Sequence, residues 1–502
     1  MRFASVSSQK GSTLCPEPLV QTSNTSLQSL NLLPEINMFP LDPSFSYNQD
    51  LQFHLLGRHL LFDELPFPIE QIHSHYLHGY LLYEKGIATS KNHLSCQRCG
   101  NDDPSLFASF ACFRCKEDSC VYCRKCIMMG RVSQCTPLIR WTGPVPNVAL
   151  TSHSFLEWEG TLSELQKQAS KQMCGVVGKP KELLVWAVCG AGKTEILFEA
   201  IDRALQQGLR VCLASPRTDV ITELSPRFER AFPKAGVVSL YGGHSELAAP
   251  SPLVLSTTHQ LFRFEEAFDV IIVDEVDAFP YSFDPTLQFA VKKAATDQAT
   301  RIYLSATPSK KMKRRVHTKQ LEVIHISRRF HGYPLPVPEF KWCGNWSKLL
   351  KKGRIPPIIH KWIDNKLTSG VQSFLFVPTI DDLTTIHSIL KEYPGIDSVH
   401  ASDLDRIEKI RRFRKGEIRM LLTTTILERG VTVPGIDVGV IGADHEVFSS
   451  NALVQIAGRV GRSIGDPYGE VVYFHYGKTT AMVSAKREIK SHNQRAGFGT
   501  SR

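Results

Sequence analysis

The sequence predicts an α/β protein with two successive parallel β-sheets, preceded by a small zinc-binding domain with four cysteine ligands. Apolar strands alternate with helical segments from residue 183 onward, and a second series of the same kind begins at residue 373. A cluster of cysteines between residues 96 and 135 predicts the small domain. A chain of 502 residues is long enough for several domains of roughly 100–200 residues each.

The composition is typical of a soluble globular protein, with 42% hydrophobic and 22% charged residues. The net charge of +10 suits a polyanionic partner without establishing one. The chain contains no run of about 18 uncharged apolar residues, so we expect no transmembrane helix. Residues 1–22 are rich in Ser and Thr and lack an apolar signal core, so we do not expect secretion.

Residues 1–50 are polar, with Ser, Asn and Pro scattered through them, and we expect a disordered leader there. An N-terminal region with the cysteine cluster is expected over 51–140. The first sheet is expected within 141–325 and the second within 326–502.

Eight of the thirteen cysteines lie between Cys96 and Cys135, a density that favours metal over disulfides in a reducing compartment. Two C-x-x-C turns can supply the four thiolates of a structural zinc site. Cys96 and Cys99 are expected to act together. Their partners are either Cys112 with Cys115 or Cys123 with Cys126, and eight cysteines could also hold two ions. A closed site of this kind has no catalytic role.

The stretch 183–195 predicts a phosphate-binding loop, because an apolar strand breaks into a glycine turn that ends in Lys-Thr and opens a helix. Backbone N–H groups of the small residues close around phosphate oxygens. Lys193 is expected to reach the β- and γ-phosphates of a nucleotide, and the Thr194 hydroxyl to bind Mg²⁺. The expected loop residues that contact the nucleotide are Gly190, Ala191, Gly192, Lys193 and Thr194.

The loop departs from the G-x-x-x-x-G-K-[ST] pattern at one position, where Ala187 replaces the first glycine. We expect the substitution to be tolerated if the backbone there keeps a negative φ. About 20 residues before the loop, Gln166 could pair its amide with the adenine edge. A solvated glutamine on a helix surface is the alternative interpretation.

A buried strand at 268–273 ends in Asp274 and Glu275. Buried carboxylates are costly without a cation. Asp274 is expected to hold Mg²⁺, directly or through water, and Glu275 to orient or deprotonate the attacking water.

The second series ends in a segment that contains Gln455, Arg459 and Arg462. We expect these side chains to share one face of a helix, since they are spaced near one helical turn apart. Arginine suits contact with phosphate because its fork pairs with two oxygens and keeps its charge.

In their order, these stretches resemble the superfamily 2 helicases and translocases over roughly residues 160–480. The resemblance implies two RecA-like lobes with ATP between them, and it makes Arg459 and Arg462 fingers on the γ-phosphate. The stretches that match motifs I, Ia, II, III, IV, V and VI are Gly190–Thr194, Pro216–Asp219, Asp274–Asp277, Ser305–Thr307, Phe376–Thr379, Thr423–Thr432 and Gln455–Arg462.

A narrower resemblance is to the ComFA family of late competence proteins from DNA-transforming Gram-positive bacteria. It is carried by the cysteine cluster ahead of the helicase core, by Cys120–Arg131 and by Asp274–Tyr281. The resemblance implies a cytoplasmic ATPase at the inner face of the cell membrane. Such an enzyme drives single-stranded DNA through a membrane channel with other competence proteins, and a homo-oligomer is a further expectation.

Two other functions fit the same motifs. A replication-restart helicase or an RNA helicase also uses zinc and a core of this kind, although Asp-Glu-Val-Asp at 274–277 departs from the Asp-Glu-Ala-Asp form and argues against an RNA-specific role. A zinc-dependent adaptor with a degenerate ATPase core is the non-enzymatic alternative. The intact Lys193, Asp274, Glu275 and Arg459 argue against the adaptor.

Overall fold

The computed structural model describes residues 1–8, 11–20, 26–33, 36–90, 93–146, 153–242, 251–429, 431 and 433–498. These residues fall into two compact units. The first comprises Met1–Glu159, Met173–Leu183 and Phe198–Tyr303, and the second comprises Gly160–Gln172, Leu184–Leu197 and Leu304–Arg502. Within the described ranges, no helix is long and apolar enough to cross a membrane.

The N-terminal residues form a three-stranded antiparallel sheet with strand order β2-β1-β3. Its strands are β1 (Arg2–Ser8), β2 (Gly11–Pro16) and β3 (Leu27–Ser29). Phe3 and Leu14 are buried in one core with Tyr76 and Trp141. The expectation of a disordered leader over 1–50 is therefore wrong for its described part, because scattered apolar residues find partners far along the chain. Residues 9–10, 21–25 and 34–35 of that stretch lie outside the described residues.

A second small sheet, with strand order β4-β10-β5, continues this core. Two short hairpins, β6–β7 and β8–β9, carry most of the cysteine cluster. The elements are α1 (Gln49–Leu55), β4 (Leu60–Leu61), α2 (Ile69–Leu77), β5 (Leu81–Lys85), β6 (Ile87–Ser90), β7 (His93–Cys96), β8 (Phe107–Cys112), β9 (Glu117–Cys123) and β10 (Pro137–Trp141).

The first large sheet has seven strands in the order β13-β14-β12-β15-β16-β11-β17. Within this order, the adjacent strands of the segment β13-β14-β12-β15-β16 are all parallel to one another. The strands are β11 (Glu182–Ala187), β12 (Val211–Ser215), β13 (Val238–Leu240), β14 (Leu253–Thr257), β15 (Phe268–Val273), β16 (Ala295–Ser305) and β17 (Glu322–Ile326). The helices of this part are α3 (Glu164–Val176), α4 (Phe198–Gln206), α5 (Thr218–Ala231), α6 (Pro285–Ala294) and α7 (Lys310–His317).

The second large sheet has six strands, all parallel, in the order β18-β23-β22-β19-β21-β20. The strands are β18 (Glu339–Trp342), β19 (Ser373–Phe376), β20 (Ile396–Val399), β21 (Met420–Thr423), β22 (Asp437–Val440) and β23 (Val471–His475). The helices are α8 (Trp346–Leu350), α9 (Pro357–Ser369), α10 (Ile380–Ile389), α11 (Arg406–Arg414), α12 (Ser450–Ala457) and α13 (Thr480–Arg495).

The predicted fold class is confirmed: two RecA-like sheets follow a small cysteine-rich region. Strand, turn and helix alternate through both sheets, which places polar residues at the carboxyl ends of buried strands. β19, β21 and β22 are buried along their whole length, as strands of a covered parallel sheet should be.

Candidate nucleotide site and cysteine clusters

The predicted phosphate loop lies directly after β11, and its two inner glycines adopt left-handed backbone conformations. Gly190 has φ = 78° and Gly192 has φ = 71°, a region that glycine enters without steric cost. Ala187 ends the strand, is fully buried and is not among the described residues with positive φ. The alanine in place of the first glycine therefore carries no backbone strain. A helical turn at Glu195–Leu197 leads into α4, as the sequence predicts.

Gln166, predicted to read adenine, bonds the phosphate loop itself. Its Nε2 donates to the Ala191 carbonyl at 2.9 Å, and its Oε1 accepts from the Ser163 backbone N–H at 2.8 Å. The second bond resembles half of a capping box at the start of α3. A Cβ on Gly192 would come within 2.5 Å of Gln166 Nε2, so a side chain there would displace the glutamine amide from its present position. Gln166 is buried rather than solvated, and its contact with adenine stays a prediction.

The predicted carboxylates follow β15 as expected. Asp274 donates its backbone N–H to the Ala214 carbonyl on β12, and its Oδ1 accepts from the Glu275 backbone N–H at 2.8 Å. Glu275 has φ = 53°, which is uncommon for a residue with a side chain. Strained backbone of this kind is concentrated at functional sites, since the surrounding fold must hold it in place.

Gln455, in α12, links the phosphate loop to the strand end after β16. Its Oε1 accepts a hydrogen bond from the Cys189 thiol, and its Nε2 donates to the Thr307 hydroxyl at 3.2 Å. Asn451 donates to the Thr307 carbonyl at 3.0 Å. A Cβ on Gly458 would approach the Cys189 Cβ to 2.4 Å, so α12 ends against the loop only because glycine stands there. Hydrogen bonds thus join α12 both to the residue that precedes motif I and to motif III.

The two predicted finger arginines do not share a helix face with Gln455. Helix α12 ends at Ala457, so Arg459 and Arg462 lie in the turns that follow. Arg459 is buried and donates to the carbonyls of Glu428 and Val431. Arg462 is half-buried, and its Nε donates to the Gly458 carbonyl at 2.9 Å. The helical-face prediction is wrong because glycines 458 and 461 interrupt the helix, whereas the role of the arginines at phosphate stays a prediction.

The first cysteine cluster consists of Cys96, Cys99, Cys123 and Cys126, all buried. Their sulfurs approach to 3.6 Å between Cys96 and Cys126 and to 3.7 Å between Cys99 and Cys123. Four thiolates around zinc at a bond length of about 2.3 Å place their sulfurs roughly 3.8 Å apart. The cluster therefore fits tetrahedral zinc, and it selects Cys123 and Cys126 as the partners of the first pair.

The second cluster consists of Cys112, Cys115, Cys120 and Cys135, also buried. The sulfurs of Cys112 and Cys135 lie 3.7 Å apart, again a distance that fits zinc. The sequence left open whether the eight cysteines hold one ion or two, and the structure groups all eight into two four-cysteine clusters. Cys120 and Cys135 were missed as candidate ligands. The signal was present in the count of eight cysteines, but Cys120 and Cys126 are each separated from Cys123 by two residues, so either could form a C-x-x-C pair with it.

Three family models match consecutive parts of the chain. "Competence protein ComFA N-terminal domain" covers residues 43–140, "Type III restriction enzyme, res subunit" covers 159–310 and "Helicase conserved C-terminal domain" covers 357–464. The solved structure of S. cerevisiae Dbp5 bound to RNA and ADP BeF3 has a TM-score of 0.50 and 16% sequence identity, covering 68% of this chain and 89% of that chain. At this identity the likeness shows the fold alone.

Two curated relatives cover most of the chain. Competence protein ComFA of Bacillus subtilis (strain 168) is 47% identical over 458 residues, which are 91% of this chain and 98% of that protein. Competence protein ComFA of Streptococcus pneumoniae (strain ATCC BAA-255 / R6) is 39% identical over 380 residues, which are 75% of this chain and 87% of that protein. The chain therefore belongs to the ComFA family of competence proteins and is a helicase-type enzyme of superfamily 2.

Proposed function

We propose that this protein is an ATP-dependent translocase of single-stranded DNA, which drives the uptake of transforming DNA across the membrane during competence. The observation that carries the proposal is the bond pattern of Gln455, which holds Cys189 of the phosphate loop and Thr307 after β16. Coupling between sites travels through packed groups and hydrogen bonds of this kind. Binding and release of a γ-phosphate at the phosphate loop would therefore change the positions of α12 and of the loop after β16.

The nucleotide chemistry follows from the residues after β11 and β15. The N–H groups of Gly190, Ala191 and Gly192 would donate to phosphate oxygens, for which the Ala191 N–H exchanges its present bond to the Val188 carbonyl, and Lys193 would neutralise the β- and γ-phosphates. Thr194 and Asp274 hold Mg²⁺, which, when bound, neutralises charge that develops during phosphoryl transfer. Glu275 orients and deprotonates the attacking water. The left-handed conformation of Glu275 supports this role, because it aims the side chain at a cost that a structural carboxylate has no reason to bear.

The remaining nucleotide contacts are assigned by family resemblance. Gln166 pairs with the adenine edge, which requires its amide to exchange at least one of its present backbone partners. Arg462 and Arg459 approach the γ-phosphate when the lobes close on ATP. Arg459 must then break its hydrogen bonds to the carbonyls of Glu428 and Val431. Its movement would therefore also change the hydrogen bonding of motif V.

The two cysteine clusters each hold one structural Zn²⁺ in this proposal, since four buried thiolates leave no open position for substrate. The partners are single-stranded DNA, a membrane DNA channel and other competence proteins, with a homo-oligomer as the assembly. The site of action is the cytoplasmic face of the membrane. The net charge of +10 supports a polyanionic substrate.

The experiment is the ATPase rate of the purified chain with single-stranded DNA, duplex DNA and RNA, with and without a zinc chelator. Stimulation by single-stranded DNA, together with displacement of a streptavidin block from a single-stranded track, supports a translocase. Separation of a duplex would favour the replication-restart alternative, and preference for RNA an RNA helicase. If the chain hydrolyses no ATP with any of the three nucleic acids, the zinc-dependent adaptor would be the remaining interpretation. Lys193→Ala should abolish ATP hydrolysis without a change in thermal midpoint. An unchanged rate of ATP hydrolysis in that variant would contradict the assignment of residues 190–194 as the phosphate-binding loop.

A further inference from the structure

Arg329 lies against the phosphate loop, although no motif predicted from the sequence contains it. It stands in the segment after β17, and the backbone N–H of its neighbour Phe330 donates to the Gly190 carbonyl at 2.9 Å. The stem of Arg329 covers Gly190: a Cβ built on that glycine would meet the arginine Cγ at 3.6 Å and its Nε at 3.7 Å. The segment between the two sheets is thus hydrogen-bonded to the loop at Gly190.

The guanidinium of Arg329 is buried, with only 2% of the residue exposed. One of its amino groups donates to the Gly461 carbonyl. Its Nε and Nη2 are buried without a hydrogen-bond partner in the part of the chain that the structure describes. The pKa of Arg329 is lowered to about 10, chiefly by burial and to a smaller extent by the charge of Arg462.

A buried guanidinium with two unpaired N–H donors is energetically costly unless an anion accepts hydrogen bonds from them. Buried charges are almost always paired, because removal of a charge from water costs several kcal/mol. No described carboxylate forms an ion pair with Arg329, and the backbone beside it belongs to the loop that binds phosphate in the proposed function. A guanidinium also presents its donors in a fork that matches two phosphate oxygens.

We propose that Arg329 binds the polyphosphate of the nucleotide at the phosphate loop, as a third arginine supplied by the segment between the two sheets. This inference rests on the proposed function. Because the same guanidinium holds the Gly461 carbonyl, phosphate binding at Arg329 also positions the turn that carries Arg462. The connection between the lobes is then part of the nucleotide site and responds to its occupancy.

The test measures binding of a fluorescent ATP analogue to the full-length chain with Arg329→Gln. Glutamine keeps a donor for the Gly461 carbonyl but loses the positive charge. Binding should weaken roughly 10- to 100-fold, as expected for loss of charge-assisted hydrogen bonds. The matched control is Arg328→Gln, which changes the exposed neighbour and should bind the analogue like the unaltered chain. Arg329→Lys keeps the charge without the fork and should fall between the two.

Thermal midpoints separate a phosphate-binding role from a structural one. Without nucleotide, Arg329→Gln should unfold at the same temperature as the unaltered chain or higher, because an unpaired buried charge is removed. The rise in midpoint on addition of the ATP analogue should be lost. Unchanged binding, or a lower nucleotide-free midpoint with the nucleotide-induced rise intact, would make Arg329 a structural brace and overturn the inference. If Lys193→Ala abolishes hydrolysis while Arg329→Gln binds normally, the inference alone fails and the proposed function stands.

Discussion

The thiol of Cys189 donates a hydrogen bond to the side-chain oxygen of Gln455, with 3.1 Å between Sγ and Oε1. The two residues are 266 positions apart in the chain. Cys189 begins the phosphate loop, and Gln455 lies in the helix that leads to Arg459 and Arg462. The contact therefore joins the loop predicted to bind phosphate to the helix that precedes the two predicted finger arginines.

Replacement of Gln455 should separate hydrolysis from nucleotide binding. Gln455→Ala leaves the Thr307 hydroxyl and the Cys189 thiol without their shared partner, while the loop backbone remains intact. We expect the DNA-stimulated ATPase rate to fall about tenfold or more, since buried groups that lose partners cost roughly 1–3 kcal/mol. Affinity for the ATP analogue should change little. The control is Gln494→Ala on the exposed face of α13; equal losses in the two variants would contradict a specific role for Gln455.

Glu275→Gln should trap the enzyme with substrate bound. The amide has nearly the same shape as the carboxylate, so ATP and DNA should bind, but it cannot accept a proton from water. Single-turnover hydrolysis should slow by roughly 100-fold or more. Glu164→Gln on the surface of α3 is the matched control. A rate like that of the unaltered chain would remove Glu275 from the role of base.

Each cysteine cluster should hold its own ion. Metal analysis by mass spectrometry should find two zinc ions in the unaltered chain. One should remain after Cys99→Ser and one after Cys135→Ser, because the substitutions fall in different clusters. Cys174→Ser, outside both clusters, should keep two. Full zinc content in Cys135→Ser would show that the second cluster binds no metal.

Acid should destabilise the first unit partly through His73. Burial lowers the pKa of His73 from the ordinary histidine value of 6.5 to about 4, and its ring stacks with Tyr76 and Tyr83. Between these two pH values the unfolded chain binds a proton that the folded chain does not. Stability therefore rises with pH through this window and falls as acid is added, by at most about 3 kcal/mol for this residue.

His73→Phe keeps the stacking and removes the titration. Its thermal midpoint should fall less than that of the unaltered chain between neutral pH and about pH 5. His93→Gln, which changes an exposed histidine on β7, should follow the unaltered chain. Equal pH slopes for His73→Phe and the unaltered chain would contradict the expectation.

The nucleotide motifs could be placed from the sequence because each one is local. The glycine turn that ends in Lys193 and Thr194 follows β11, and Asp274 follows β15 directly, as an apolar run that stops at polar residues predicts. The small leader sheet could not be placed in this way. Phe3 and Leu14 are isolated apolar residues in polar surroundings, and only their packing with Tyr76 and Trp141 makes their strands stable.

Linear spacing identified the cysteines as candidate metal ligands but did not predict how they are grouped. Cys123 stands between two equally spaced neighbours, and the choice of Cys126 depends on how the β8–β9 hairpin folds back toward Cys96. The end of α12 is a similar case. Gln455, Arg459 and Arg462 follow one another at steps of four and three residues, a spacing that fits a helix. Gly458 nevertheless packs against Cys189, and the helix ends at Ala457.

The order of apolar runs, glycine turns and charged residues was sufficient to predict the two-sheet class, the strand–glycine turn–helix form of the 183–195 stretch and the strand-end position of the carboxylates, because each depends on neighbours within a few residues. Tertiary packing alone established the leader sheet, the two interleaved cysteine clusters, the Cys189–Gln455 contact and the burial of Arg329. Those features depend on groups that are tens to hundreds of residues apart. The free energy that stabilises these contacts comes from the burial of apolar groups and the pairing of polar groups. Both depend on residues that are distant in sequence, so a local pattern cannot predict them.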